Sequence, residues 1–452
     1  MVSTAVQPGG RRQGVPAVPA VLAGRRRSRL SLRTTPARLR LLLVALVLLS
    51  LAWGALAAFT AGHYASAASG VVTTREPLSL DALQIYSGLS DANDAATTAF
   101  LTGGLEPAAV RQRYLADIVA AESGLEDATG RGGLGSGVTA GNLGTLAADI
   151  PLYAGEIETA RADNRLGLPL GAAYLREASA LMRGTLLPAA QGLYSAESAS
   201  LGTTSAQATG LPLIAVTAVI GLAVGSSLFG ASRWLARRTN RVFNYGLLAA
   251  GLAIVVSLAW LAVAYANGRG SLLSAQARGS TPVAALARVD IAVQQAHTDE
   301  SLTLIDNSGD DSYQQDYVRL QKSLGPGQGT LLTAAQAAAA GSRAAPAVAA
   351  MVGDAQGWYK AHAAVRTLDD AGNHAGAVRS ALGTGPGDAA TWFGRLSANL
   401  TAGMAADQAA FGSSARSGSS AFADLEPGVI VAALVMAAAC AWGLSRRLRE
   451  YL

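Results

Sequence analysis

The chain has 452 residues, half of them apolar and only 14% charged, a balance that excludes a wholly soluble globular protein. The formal net charge is +5, but the basic residues gather beside apolar runs rather than along a folded face, so no nucleic-acid partner is expected. Cys440 is the single cysteine; with no intrachain disulfide available, large domains must be held by packing alone.

Residues 1–40 are rich in Pro, Gly and Arg and read as a disordered basic tail. Leu41–Gly62 is the first of four uncharged apolar segments; the others are Leu211–Gly230, Gly246–Ala266 and Gly428–Leu444. Each is of the order of the ~20 residues that cross a bilayer core as helix. Ala65, Ser66 and Ala67 supply a cleavage-like pattern after the first segment. The apolar run is longer than the roughly 7–15 residues of a signal peptide, which favours an uncleaved anchor.

Basic residues near span ends stay on the cytoplasmic side. Arginines crowd the N-terminal tail, the short loop 231–245 (Arg233, Arg237, Arg238, Arg241) and the tail 445–452 (Arg446, Arg447, Arg449). The expected localisation is the cell membrane, multi-pass, with both termini cytoplasmic and residues 63–210 and 267–427 outside. These two regions are mildly acidic, with 15 acidic and 8 basic residues in the first and 14 and 11 in the second. The arginines also suit anionic lipid headgroups, and Arg233, Arg237, Arg238 and Arg446 are candidate contacts for a cytoplasmic partner.

Both outer regions carry apolar residues at helical spacing, as in Leu80, Leu83, Tyr86 and Leu89, without strand-like alternation. Breakers at Thr102–Gly104, Gly130–Gly137 and Leu166–Pro169 divide the first region into four helices. In the second they fall at Asn307–Gly309, Gly325–Gly329, Asp369–Gly372 and Gly383–Gly387, with the third helix interrupted near Gly341–Pro346. The regions align at an offset of roughly 204 residues: Ile85–Ala92 matches Val289–Ala296, Tyr114 falls on Tyr317, Arg161 on Arg366, Arg176 on Arg379 and Leu193 on Leu396. The predicted fold is all-α, with four transmembrane helices and two tandem extracytoplasmic four-helix bundles, a duplicated span-bundle-span unit.

Signatures of catalysis are missing. His63, His297, His362 and His374 lack metal-ligand spacing; His297 before Asp299 and Glu300 reads as a solvated face, and no metal or cofactor is expected. Gly130–Gly137 reads as a loop and not a phosphate cradle. The spans carry no intramembrane charge of the kind a transporter needs.

The spans do carry small residues suited to close helix packing, Ser50, Gly54 and Ala58 in the first and Gly221 and Gly225 in the second. Trp53, Phe59 and Tyr64, then Trp234, Phe243 and Tyr245, fit interfacial aromatic belts. Candidate ligand or partner contacts in the outer regions are Arg161, Arg176, Arg366 and Arg379, with Tyr153, Trp358 and Tyr359 nearby. A guanidinium there would grip a carboxylate.

A span, a four-helix bundle and a second span resemble the outer half of bacterial chemoreceptors and sensor kinases, and residues 85–101 look like the first helix of such bundles. The duplicated form without an effector domain resembles the actinobacterial membrane sensors of the GlnX type. That resemblance implies a non-catalytic sensor of aspartate, glutamate or glutamine, contacted outside by an amino-acid-binding lipoprotein and inside by a Ser/Thr kinase of the protein kinase G type. A homodimer is compatible with it. The alternative is a structural or accessory scaffold for a binding-protein-dependent permease or envelope complex.

Overall fold

The computed structural model describes residues 35–132, 138–239, 244–306 and 311–449, and among these every regular element is helical. In chain order they are α1 (Thr35–Gly70), α2 (Glu76–Leu101), α3 (Ala108–Gly132), α4 (Val138–Arg165), α5 (Leu170–Leu181), α6 (Leu187–Thr209), α7 (Pro212–Thr239) and α8 (Tyr245–Ala275). Then follow α9 (Thr281–Ile305), α10 (Ser312–Leu324), α11 (Leu331–Ala338), α12 (Ala345–Asp370), α13 (His374–Leu382), α14 (Ala389–Ala423) and α15 (Leu425–Arg449).

Four helices are long and apolar enough to cross a membrane. Their apolar parts lie in α1, α7, α8 and α15, which pack as a ring: α1 on α15, α15 on α8, α8 on α7 and α7 on α1. Leu48, Phe59, Leu222, Leu252 and Leu434 point outward and are exposed, the lipid-facing pattern of a membrane bundle. Inside, Gly54 packs so closely on Ala433 that a Cβ would collide with it, and a Cβ on Gly221 would lie 2.7 Å from Trp53 and from Leu258. Gly225 has only ordinary contact, 3.7 Å from Ile254, whereas Gly246 runs against the backbone of Gly443. Thr60 and Thr217 share a hydrogen bond of 2.7 Å between α1 and α7, the kind of polar contact that joins helices in lipid. Ser50 is buried with its hydroxyl donating to Leu46 O at 2.8 Å, and Ala58 lies against the same core.

Trp53 departs from the aromatic-belt expectation. It is 1% exposed and donates its indole N–H to Thr217 O at 3.4 Å, filling the bundle core left open by Gly221. Tyr64 is likewise buried, whereas Phe59 and Tyr245 are exposed; Phe243 lies outside the described residues.

Helix α1 continues into α2 through a π-turn at Val71–Arg75, and α8 continues into α9 through another at Gln276–Ser280. A third, Met182–Leu186, joins α5 to α6. Each ends two residues before a proline: Pro77, Pro282 and Pro188. Proline lacks an N–H and its ring crowds the carbonyl four residues back. One extra residue in the preceding turn relieves that clash without ending the helix.

Helix α6, unlike α1 and α8, does not run unbroken into its neighbour. Gly210 is extended (φ −66, ψ 142), so α6 stops and α7 restarts at Pro212. The freed carbonyls are satisfied by donors from two other spans: Tyr64 Oη to Gly210 O at 2.6 Å, Tyr265 Oη to the same carbonyl at 2.8 Å, and Arg269 Nε to Thr209 O at 3.1 Å.

The first outer unit is α2, α3, α4 and the α5–α6 pair around a core that includes Ile85, Leu89, Tyr114, Leu146, Tyr153 and Leu193. Turns at its far end use Gly103, Gly104 and Gly167, all with positive φ, where a side chain would be strained. The second unit breaks where expected, at Gly325–Gly329, near Gly341, at Asp369–Gly372 and at Gly383–Gly387, but the interruption near Gly341 separates its second and third helices rather than cutting the third. Its second helix is broken into α10 and α11 by Gly325–Gly329, and Gly341, with φ 79, links α11 to the unbroken α12. Its fourth is broken at Gly383–Gly387, where the first unit has its π-turn. The Asn307–Gly309 breaker and most of the Gly130–Gly137 loop lie outside the described residues.

Candidate functional site: the seam between the two outer units

Helices α2 and α9 each begin as the continuation of a span, and they pack on one another. Each is therefore covered both by its own unit and by the other. Seventeen of 26 residues of α2 are buried, too many for one amphipathic stripe, and ionisable groups are among them. Asp94 hydrogen-bonds His297 Nδ1 across the seam, both buried. Arg183 donates to Asp299 at 2.8 Å and Arg176 to Asp306 at 3.3 Å, two more ion pairs between units. Gln295 adds a bond of 3.3 Å to Tyr86 Oη.

His297 continues into the second core. Its ring stacks on Phe393 at 3.7 Å. One turn away, Glu300 accepts from Trp358 Nε1 at 3.1 Å and pairs with His362 Nδ1 at 2.8 Å. Tyr317 stacks on His362 at 3.6 Å. The first unit has a neutral counterpart: Asn93 Oδ1 accepts from Tyr153 Oη at 3.4 Å and from Ser179 at 3.3 Å.

Burial governs the charges here. Asp91 is pushed up to about 8 by burial and by the neighbouring Asp290, Asp117 and Asp94, with Arg113 pulling the other way. Burial likewise lifts Asp290 to about 6 and Asp299 to about 7. For His297 burial favours the neutral ring, but the Asp94 carboxylate outweighs it and the pKa rises. For Glu300 burial is outweighed by the His362, His297 and Trp358 partners, and the pKa falls. The expected solvated face at His297, Asp299 and Glu300 is thus overturned: all three are at most 7% exposed.

Two cavities open on the seam. One, of about 360 Å³, is lined by Asp94, Arg113, His297 and Phe393. The other, also about 360 Å³, lies beside both span-proximal π-turns and is lined by Glu76, Gln276 and Arg288 among apolar and small hydroxyl side chains.

The arginines singled out from sequence are engaged within the protein. Arg161 is largely buried, paired with Glu106 and with Glu158 at 3.2 Å, and lies over the Tyr114 ring. Arg366 holds Asp369 at 2.9 Å and Asp370 at 2.6 Å within its own helix. Arg379 donates to Ala375 O at 3.2 Å, while Arg176 belongs to the seam. Tyr153 and Trp358 are fully buried core residues, and Tyr359 is packed against the second core. Arg233, Arg237 and Arg446 are exposed at the end of the membrane bundle, Arg446 lying over Trp442; the Arg238 side chain lies outside the described residues. Among the described residues no His, Cys, Asp and Glu grouping could hold a metal ion.

Sequence reasoning missed Asp94, Asp91, Asp290, Arg183, Glu76 and Arg288. The available signal was their density: Asp91, Asp94 and Asp290, Asp299, Glu300 recur on helices of otherwise low charge.

Residues 67–206 match the family of the actinobacterial sensor domain. The matched stretch starts just before the first π-turn and ends within α6, so it coincides with the first outer unit. No curated protein and no solved structure matches the chain. The match and the four long helices define a membrane protein that carries a helical sensor domain.

Proposed function

We propose that the protein is a non-catalytic transmembrane sensor whose two outer units report an extracytoplasmic event to the cytoplasmic face. The observation that carries this reading is the pair of uninterrupted helices, α1 into α2 and α8 into α9, that meet at the charged seam. A change in their packing is delivered directly to α1 and α8. Transitions of this kind need helix shifts of only about 1–2 Å, and differential affinity of a ligand or partner for two packings supplies the energy.

In this reading both termini and the 231–245 loop face the cytoplasm, as the arginine distribution argues. The correspondence of Pro77 with Pro282, Tyr114 with Tyr317 and Tyr153 with Trp358 supports an origin by duplication. The signal is amino-acid availability (aspartate, glutamate or glutamine) delivered by a docked binding lipoprotein, in the manner of GlnX-type sensors. Leu105, Leu166, Leu168 and Leu170, exposed together at the far tip of the first unit, support such docking. A cytoplasmic Ser/Thr kinase of the protein kinase G type then meets the face that bears Arg233, Arg237 and Arg446.

The test is affinity purification of the tagged protein from gently solubilised membranes, with and without aspartate or glutamate. Recovery of a binding lipoprotein and a soluble kinase in amino-acid-dependent amounts is the expected result. The clamped junction at Gly210, held by Tyr64, Tyr265 and Arg269, favours the second reading, a static scaffold for a permease or envelope complex. Permease subunits or envelope proteins recovered indifferently to amino acid would establish that reading instead.

A further inference from the structure

We propose that the cavity beside the two span-proximal π-turns binds a small zwitterion with an apolar body. Leu80, Leu83, Leu201, Val283 and Phe411 give it an apolar side, small hydroxyls such as Ser79, Ser198 and Thr281 line the rest, and its volume of about 360 Å³ falls in the range of small-molecule pockets. Two charges of opposite sign line it, Glu76 at the start of α2 and Arg288 on α9. Among the described residues neither has an ion pair. Arg416 lies near Glu76 across the space left by Gly412, 3.6 Å from where a Cβ there would sit, and lowers its pKa, yet burial still pushes Glu76 up to about 7.

A half-buried carboxylate without a contact partner gains from a ligand ammonium, and a free guanidinium gains from a ligand carboxylate. The apolar wall gains from a hydrocarbon side chain. An apolar α-amino acid carries all three of these groups, whereas glutamate would set a second carboxylate against that wall. Gln276 and Ser280, from the second π-turn, line the same cavity as Glu76, which follows the first. An occupant therefore touches both of the helices that run unbroken into the membrane bundle. This consequence rests on the sensor reading, but binding itself does not.

The experiment uses the full-length protein in detergent or nanodiscs, with leucine and phenylalanine as probes, read by thermal shift and equilibrium binding. N-acetyl-leucine and leucinamide each remove one charge, and glutamate changes the side chain. Saturable stabilisation by leucine or phenylalanine is expected, at least tenfold weaker for both analogues and for glutamate. Glu76→Gln should weaken leucine but not N-acetyl-leucine, and Arg288→Gln should weaken leucine but not leucinamide. Because neither side chain carries an internal ion pair, both variants are expected to melt near the parent without ligand, and a variant that does not is replaced by Glu76→Asp or Arg288→Lys. The proposal is overturned by no stabilisation with either probe, or by affinities indifferent to the analogues and to both substitutions. Binding that passes these tests while the purified partners stay indifferent to leucine would sink the relay and leave the site standing.

Discussion

The Asp94 and His297 pair ties the two outer units together while both groups are buried. Breaking a buried pair from one side typically costs about 3–5 kcal/mol, because the partner is left charged and unpaired. Asp94→Asn or His297→Ala should therefore lower the melting temperature of the full protein by several degrees, and Asp94→Leu with His297→Leu should recover part of the loss. A single substitution without effect would show that the pair is not buried in the membrane-embedded protein. The pH response has a definite sign. Asp91, Asp290 and Asp299 are raised to about 8, 6 and 7, so the folded seam holds protons that the unfolded chain has already released. Their contribution is present at low pH and is lost as pH rises through those values. His297, also raised, acts in the same direction, whereas Glu300, lowered, loses its contribution only in acid below the ordinary glutamate range. Stability should fall between about pH 5.5 and 8 in thermal melts, and Asp91→Asn with Asp290→Asn should flatten the slope. A rise over that interval would contradict the assignment. None of these groups stood out in the sequence as a site, because a charged residue on a helix is ordinarily solvated; only the packing of α2 against α9 removes the water.

Helices were legible from the apolar periodicity and the spans from their lack of charge. The π-turns were not read, although Pro77, Pro188 and Pro282 mark them. A proline inside a periodic pattern ordinarily signals a helix start or stop, and continuation through a widened turn depends on packing from outside the helix. The break at Gly210 was hidden for a similar reason: its carbonyls are satisfied by Tyr64, Tyr265 and Arg269, distant in sequence. In the membrane bundle the Gly221 and Gly225 motif contributes one close contact, while Gly246 and Gly443, glycines from different spans that no local motif connects, meet backbone to backbone. Ser50 and Cys440 are neighbours across α1 and α15, which turns the native cysteine into a probe. Ser50→Cys should form an intramolecular disulfide with Cys440, whereas Leu48→Cys, exposed outward, should not. Closing the first π-turn rotates α1 against α2 by about 100° per residue. Pro77→Ala should accordingly reduce the Ser50→Cys cross-link, and an unchanged yield would show that the proline does not set the register.

Taken as one molecule, the protein places two helical units side by side over a four-helix membrane bundle, with two helices passing without a break from seam to bundle. That continuity is what distinguishes a relay from a scaffold. In the relay, occupancy outside changes how α1 meets α15; in a scaffold that contact is constant. The most direct measurement is the rate of disulfide formation between Ser50→Cys and Cys440 in intact cells, starved or supplied with aspartate or glutamate, at matched protein levels. The sensor account predicts rates that differ between the two conditions and become equal when Ala67→Pro interrupts the helix leading to the seam. Equal rates in starved and supplied cells, with the binding lipoprotein demonstrably docked, would contradict it.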